Sequence, residues 1–232
     1  MRAPANTAND DVVGLASRFL AGLGPAERRS VLKAAKERRY PAGAVITSQG
    51  APAAELFLVA SGRARSFFTT RDGRKLLMIW ATPGDLFGGK ALLSVPSTYL
   101  VSTEAVRSSR VLVWDGPSIR RLADRHPRLL ENALSYASDY LDWYVTAHVS
   151  LTCHTARQRL GEVLAGLAHT IGRDVPGGVE FDVTNEELAS AANITPFTAS
   201  RLLSRWQRNH ALVRRRGKLL LRAPQRLFAS IE

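Results

Sequence analysis

Hydrophobic positions change their period several times along the chain. Val12–Ala21 and Pro25–Lys36 carry helical spacing, the second opening with a proline in its first turn, where a missing N–H costs nothing. From Arg39 to Trp114 the pattern shortens to strand-length runs: Glu55–Ala60, Ala64–Thr69, Leu76–Trp80 and Val111–Trp114. The turn pairs Ser61-Gly62, Asp72-Gly73 and Pro83-Gly84 divide them, with glycines 11 residues apart, an interval that fits consecutive antiparallel strands. We expect a β-roll here. After Asp115 the helical period returns as a short helix, Pro117–Ala123, a break at His126-Pro127, and a stretch without further Gly or Pro to about Leu151. Within it Leu130, Ala133, Ala137, Tyr140, Tyr144, Ala147 and Leu151 alternate in steps of three and four, the seam of a two-stranded coiled coil. A helix lying on its own β-roll would show the same spacing. Of the two we take the homodimer helix.

Beyond Thr152 the pattern predicts an amphipathic helix over Ala156–Ile171, a loop over Gly172–Gly178 and a short strand over Phe181–Val183. Thr184 followed by Glu187 is then a capping box, in which each side chain satisfies an orphan backbone N–H at a helix start. Thr195 with Pro196 marks a second helix start 11 residues later, so a tight turn must lie between, and Asn193 is suited to the left-handed backbone of such a turn. Leu188, Ala191 and Ala192 give the first helix an inner face, and Ala189 is small enough for a close crossing. Ile194, Ala199, Leu202, Leu203 and Trp206 line the inner side of the second helix, leaving Phe197, Thr198, Ser200, Arg201, Ser204, Arg205 and Arg208 outside. This is the outline of a helix-turn-helix.

Charge strengthens that outline. The 232 residues hold 32 Lys and Arg against 20 Asp and Glu, a formal net charge of +12, which favours a polyanionic partner. Between Thr184 and Arg226 nine Lys and Arg face only Glu186 and Glu187, so nine less two leaves +7 in under a fifth of the chain. Arg214-Arg215-Arg216-Gly217-Lys218 lies between apolar Ala211–Val213 and Leu219–Leu221, the pattern of a β-hairpin wing with a basic tip. We expect double-stranded DNA as partner, with phosphate contacts from Thr184, Thr195, Thr198, Arg205, Arg215 and Lys218. With 45% hydrophobic and 22% charged residues the composition is globular, and length predicts two domains. No apolar run approaches a membrane span and the N-terminus lacks a signal peptide's apolar core, so we expect a cytoplasmic protein with no membrane partner.

These residues resemble the CRP/FNR family of bacterial transcription regulators. The resemblance runs over about residues 15–225 and is carried by Tyr40-Pro-Ala-Gly, Gln49-Gly, Ser61-Gly and Pro83-Gly-Asp85-Leu-Phe-Gly, by the long helix, and by the winged helix-turn-helix that follows it. It implies an α+β chain: a tail over 1–14, a cyclic-nucleotide-binding-like β-roll over 15–126, a dimerisation helix over 127–151 and a winged helix-turn-helix over 152–232. It also implies a homodimer in which an effector on the β-rolls reorients the DNA-binding domains about a hinge near Leu151–Thr155, and a contact with RNA polymerase through Gly172–Val179. The family's base-reading positions fall on Pro196, Phe197, Ser200 and Arg201, with Arg201 matching the guanine reader. Ser200-Arg201 looks like the FNR-type branch. Where many relatives carry a glutamate that accepts from cytosine, this chain has Phe197, which contacts a thymine methyl or packs against the neighbouring helix.

The effector region departs further from that pattern. Cyclic-nucleotide-binding members carry a Gly-Glu pair for the ribose and an Arg-Ser pair for the cyclic phosphate; here stand Gly88-Gly89-Lys90 and Ser97–Glu104, which includes Tyr99. Without the arginine a cyclic phosphate loses its strongest charge-assisted contacts, so weak or no cyclic AMP binding is expected. Gly88, Gly89, Lys90 and Tyr99 remain effector-pocket candidates, with Lys90 either greeting another anion or simply solvated. One cysteine, Cys153, excludes an iron–sulfur cluster built by this chain; beside His154 at the hinge it is read as a buried structural thiol, with redox sensing as the alternative. His126, His148, His169 and His210 form no metal-ligand spacing, so no metal site is expected, and haem stays open. The cofactor is unknown and the effector is an unidentified small molecule or redox signal. No phosphate-cradling loop, His-Glu-x-x-His or nucleophile elbow is present, which argues against an enzyme. The rival readings are a sequence-tolerant architectural DNA binder and a cyclic-nucleotide-responsive regulator with an altered pocket.

Overall fold

A computed structural model of the chain describes residues 14–95, 97–215 and 217–228. The expected tail therefore lies almost wholly outside the described residues, as do Val12, Val13 and Arg216. The chain forms two compact units, one within Met1–Arg74 and Met78–Leu141, the other within Lys75–Leu77 and Asp142–Glu232. The division falls inside the long helix.

The first unit opens on a single 3-10 turn, Arg18–Leu20, where a helix over Val12–Ala21 was expected. Helix α1 (Pro25–Lys33) is also shorter than its apolar spacing predicts, because strand β1 (Lys36–Tyr40) begins two residues after its cap and pairs with Ser109–Val113. Then come β2 (Val45–Thr47), β3 (Glu55–Thr69), β4 (Lys75–Ala81), β5 (Leu86–Phe87) and β6 (Ser102–Asp115), in a six-stranded sheet whose main path runs β1-β6-β3-β4. Strand β3 contains both Glu55–Ala60 and Ala64–Thr69, so Ser61-Gly62 is not a turn. Both halves pair with β6, and the ladder shifts register between Val59 and Ala64. Gly62 supplies the bulge at φ +93, where an added Cβ would collide with Ser109 Oγ. A glycine free to take positive φ serves a bulge as well as a hairpin, and the sequence signal is the same for both. Asp72-Gly73 does join paired neighbours, β3 and β4.

Strands β3 and β6 are apolar on both faces because each face has its own core. Leu56, Leu58, Leu112 and Trp114 pack with Phe19, Val31, Leu32, Ile119, Leu122 and Leu129 beneath the helices. Phe57, Val59, Val111 and Val113 face the other way, with Ala64, Ala81 and Phe87 inside the roll. Trp114 is fully buried, and its indole N–H finds Val31 O at 2.9 Å. Helix α2 (Gly116–Arg125) is capped by Asp115, whose carboxylate accepts from Ser118 N.

Helix α3 runs from Arg128 to Cys153. Leu129, Ala133 and Tyr136 turn to the core of their own unit, so Ala133 of the expected seam faces inward. Leu130, Leu134, Ala137, Leu141, Tyr144, His148 and Leu151 are exposed, and their spacing alternates four and three along the whole helix. Leu134 is 67% exposed and Leu141 62%. Both lie on this bare stripe, although neither was in the expected seam. Tyr140 is exposed beside it and Ala147 is half-buried.

In the second unit, α4 (Ala156–Thr170) buries Leu160, Gly161, Leu164 and Leu167. The expected loop over Gly172–Gly178 is instead half of a hairpin, β7 (Arg173–Val175) and β8 (Gly178–Asp182), turning at Gly177. Helices α5 (Asn185–Ala191) and α6 (Pro196–Arg208) follow, then β9 (Leu212–Arg215), β10 (Lys218–Leu221) and the short α7 (Gln225–Phe228). The sheet order is β7-β8-β10-β9, so the wing rests on four strands rather than two.

Candidate nucleic-acid interface

The two helices α5 and α6 are fixed at their starts by their own side chains. Thr184 Oγ1 accepts from Glu187 N at 3.1 Å, and Glu187 Oε2 accepts from Thr184 N at 2.7 Å, a complete capping box. Thr195 Oγ1 accepts from Thr198 N at 3.1 Å and lies 2.9 Å from Thr198 Oγ1, with Pro196 opening α6. Asn193 takes φ 48, as a tight left-handed turn requires. Leu188, Ala189, Ala192, Ala199, Leu202, Leu203 and Trp206 are buried between the helices and the sheet. Rigid placement of α6 follows from this packing.

What the packing leaves outside is a face made of Pro196, Phe197, Arg201 and Arg205, all exposed, with Thr198 and Ser200 half-buried at its edge. Phe197 is 78% exposed, which removes the alternative that it packs against the neighbouring helix. Among the described residues Arg201, Arg205 and Arg208 form no salt bridge with an acid. A guanidinium so placed keeps its fork of donors for a partner.

The wing's cations are held differently. Glu180 Oε1 accepts from Lys218 Nζ at 3.0 Å and from Arg173 Nη2 at 3.2 Å, and Arg215 Nη1 stands 3.9 Å from Oε2. The lysine beside it holds the Glu180 carboxyl below the ordinary carboxylate range. Its side chain is 11% exposed, whereas Arg215 is 63% and Lys218 46% exposed. The hydroxyls of Thr184, Thr195 and Thr198 are engaged in the helix caps.

Sequence reasoning missed three groups that position this interface. Asn185 Nδ2 donates to Pro196 O at 2.9 Å, tying the start of α5 to the start of α6. Arg159 on α4 donates to Ala192 O at 2.9 Å through Nε and to His154 O at 2.8 Å through Nη1, joining the turn to the end of α3. Glu162 lies 2.6 Å from His154 Nδ1 through Oε1 and accepts from Ser150 Oγ at 2.6 Å through Oε2. Such links depend on tertiary placement, and the residue types give no local signal for it. Cys153 is exposed, which corrects the expectation of a buried thiol: it ends α3 with its side chain in solvent.

In the first unit two of the effector-pocket candidates, Gly88 and Tyr99, are taken up by contacts within the fold, while Gly89 and Lys90 are exposed. Gly88 sits at φ 77, where a Cβ would meet Glu55 O at 2.7 Å and the Phe57 ring at 2.9 Å. Lys90 is exposed and donates to Thr98 O at 3.1 Å. Tyr99 hydroxyl donates to Glu55 O at 2.8 Å and accepts from Glu55 N at 3.0 Å, and burial pushes its pKa up. Phe57 stacks on Phe87 at 4.9 Å beside it. Gly89 is exposed and a Cβ there would meet nothing.

Two family models match the chain, a cyclic nucleotide-binding domain over residues 37–126 and a Crp-like helix-turn-helix domain over residues 158–229. The cyclic AMP receptor protein of Thermus thermophilus is 30% identical over 182 residues, covering 78% of this chain and 82% of that protein. A CRP-like cAMP-activated global transcriptional regulator of Mycobacterium tuberculosis is 24% identical, covering 91% of this chain and 94% of its own. Among solved structures, a CooA mutant from Carboxydothermus hydrogenoformans superposes with a TM-score of 0.70 at 26% identity, covering 85% of this chain and 88% of that one. Among the described residues no helix is long and apolar enough to cross a membrane. With a roll, a long helix and a winged helix-turn-helix in this order, the chain belongs to the CRP/FNR family of DNA-binding transcription regulators.

Proposed function

We propose that the protein acts in the cytoplasm as a homodimer that reads a two-fold symmetric DNA site through Pro196, Phe197, Ser200 and Arg201, under a signal other than cyclic AMP. The observation that carries the reading is the outer face of α6, where Arg201 is exposed and without an acidic partner among the described residues while the caps and the buried face fix the helix. Arg201 pairs two donors with O6 and N7 of one guanine, and Phe197 meets a thymine methyl. Ser200-Arg201 supports a reading of the chain as a member of the FNR-type branch.

Dimerisation is supported by α3, whose stripe from Leu130 through Leu134, Leu141 and Tyr144 to Leu151 stays bare in the single chain. Apolar side chains at heptad spacing gain about 25 cal/mol for each Å² they remove from water on pairing. The signal is argued from the roll: a cyclic nucleotide needs a carboxylate for its ribose and an arginine for its phosphate. Gly89 stands at the first place, and the Tyr99 hydroxyl is already used on Glu55. Calorimetry with millimolar cyclic AMP is expected to show no heat of binding; micromolar affinity would refute this part. Contact with RNA polymerase is carried over from the family onto Gly172–Val179. Selection from randomised duplexes is the decisive experiment, with half-sites expected about one helical turn apart. Recovery of no consensus would leave only a sequence-tolerant binder.

A further inference from the structure

We propose that Glu180 attenuates the protein's sequence-independent hold on DNA, acting as an internal carboxylate that competes with backbone phosphate for the wing cations Lys218 and Arg215. The inference rests on the reading of Lys218 and Arg215 as phosphate contacts. In the sheet Glu180 pairs with Leu220 on β10 and with Arg173 on β7, and Lys218 pairs with Arg215 on β9. Directly paired residues, and residues two apart on a strand, share a face. Arg173, Glu180, Asp182, Lys218 and Arg215 therefore stand on one side of the wing, while Phe181, Leu219 and Leu221 are buried on the other.

Glu180 is the most enclosed charge on that face. Three cations converge on it, Lys218 at 3.0 Å, Arg173 at 3.2 Å and Arg215 at 3.9 Å, while Asp182 stands 4.0 Å from Lys218. All three cations keep much of their surface in water, so a phosphate can approach each from the open side. To bind it fully the cation must leave the carboxylate, or share itself between two anions. Either way the pair lowers the number of counterions that DNA binding releases, which sets both the strength and the salt dependence of non-specific hold. Among the described residues the recognition-helix arginines have no acidic salt-bridge partner, so the attenuation falls on the grip common to all sequences.

Fluorescence anisotropy on the full chain, with the selected consensus and a random duplex across a salt series, tests this. Glu180→Gln keeps the shape and removes the charge. It is expected to tighten both duplexes by the same factor, about five-fold at 0.15 M salt, and to steepen the log–log salt slope by about 0.9, the contribution of one more counterion released. Lys218→Gln should cost more in the Glu180→Gln background than in the natural chain. A misfolded variant cannot bind more tightly, so a gain has no structural explanation. Should the glutamine variant fail to fold, Arg173→Gln provides the second arm: with one competitor fewer, the carboxylate holds Lys218 and Arg215 harder, and the slope should flatten; an unchanged slope would refute the proposal. If Lys218→Gln and Arg215→Ala weaken both duplexes while Glu180→Gln leaves them unchanged or weaker, the inference falls and the wing reading stands. If neither wing variant alters binding, the wing reading fails and takes the inference with it.

Discussion

The recognition helix and the wing present arginine to solvent side by side in one unit, but on different terms. On α6 the arginines stand on a helix whose opposite face is buried through Ala199, Leu202, Leu203 and Trp206, and no described acid pairs with them. On the wing, Arg215 and Lys218 lean on Glu180 at the surface of a small sheet. A base-reading side chain must arrive at one place with one orientation, so its position is stabilised through the backbone and its head is left unengaged. A phosphate contact tolerates displacement, so its cation can be shared with a neighbouring carboxylate without loss of register. On the proposed reading of Arg201 and Arg215, that difference separates specificity from hold.

Removing the frame should have the largest effect. Leu203 is buried at 1% exposure, and Leu203→Ala is expected to destabilise the second unit by about 2–5 kcal/mol, read by denaturant unfolding, with loss of binding to every duplex near the transition. Arg201→Ala comes next: a loss of about 1–3 kcal/mol on the consensus, little change on random DNA, and relaxed preference at one base pair of each half-site. Arg215→Ala should weaken consensus and random duplexes alike and reduce the salt slope by about 1. An effect of Arg215→Ala confined to the consensus would erase the distinction between the two regions. The smallest effect concerns pH. Because the folded Glu180 carboxyl lies below its ordinary value, its contribution to stability is full above that ordinary value and fades as pH falls through the lower folded one. The acid limb of the stability profile of Glu180→Gln should lack this component.

The interface was legible in the sequence where local chemistry decides structure. Thr184 with Glu187, Thr195 with Pro196, and Asn193 between them announce two helix starts and a turn, and each does what its residue type predicts. The roll was legible as a class but less so in detail. Gly62 marks a bulge and not a turn, because only the pairing of both halves of β3 with one long β6 distinguishes the two. The 173–175 strand was missed because Arg173-Asp174-Val175 has no alternation to reveal it, its pairing with β8 being set by the Gly177 turn. On α3 the four-three rhythm was visible but its phase was not: Ala133 turns inward because Leu129 and Tyr136 do, a fact of packing. Glu180 escaped notice altogether, since one acid among many residues has no meaning until three strands bring cations to it.

On the proposed reading Arg201 reads the sequence and Arg215 holds the backbone. Site selection from randomised duplexes, run in parallel on the natural chain, Arg201→Ala and Arg215→Ala, tests it most directly. One two-fold symmetric consensus is expected for the natural chain and for Arg215→Ala, and the same consensus with a guanine position lost from each half-site for Arg201→Ala. Retention of that guanine without Arg201, or its loss without Arg215, would overturn the division of roles between the two arginines.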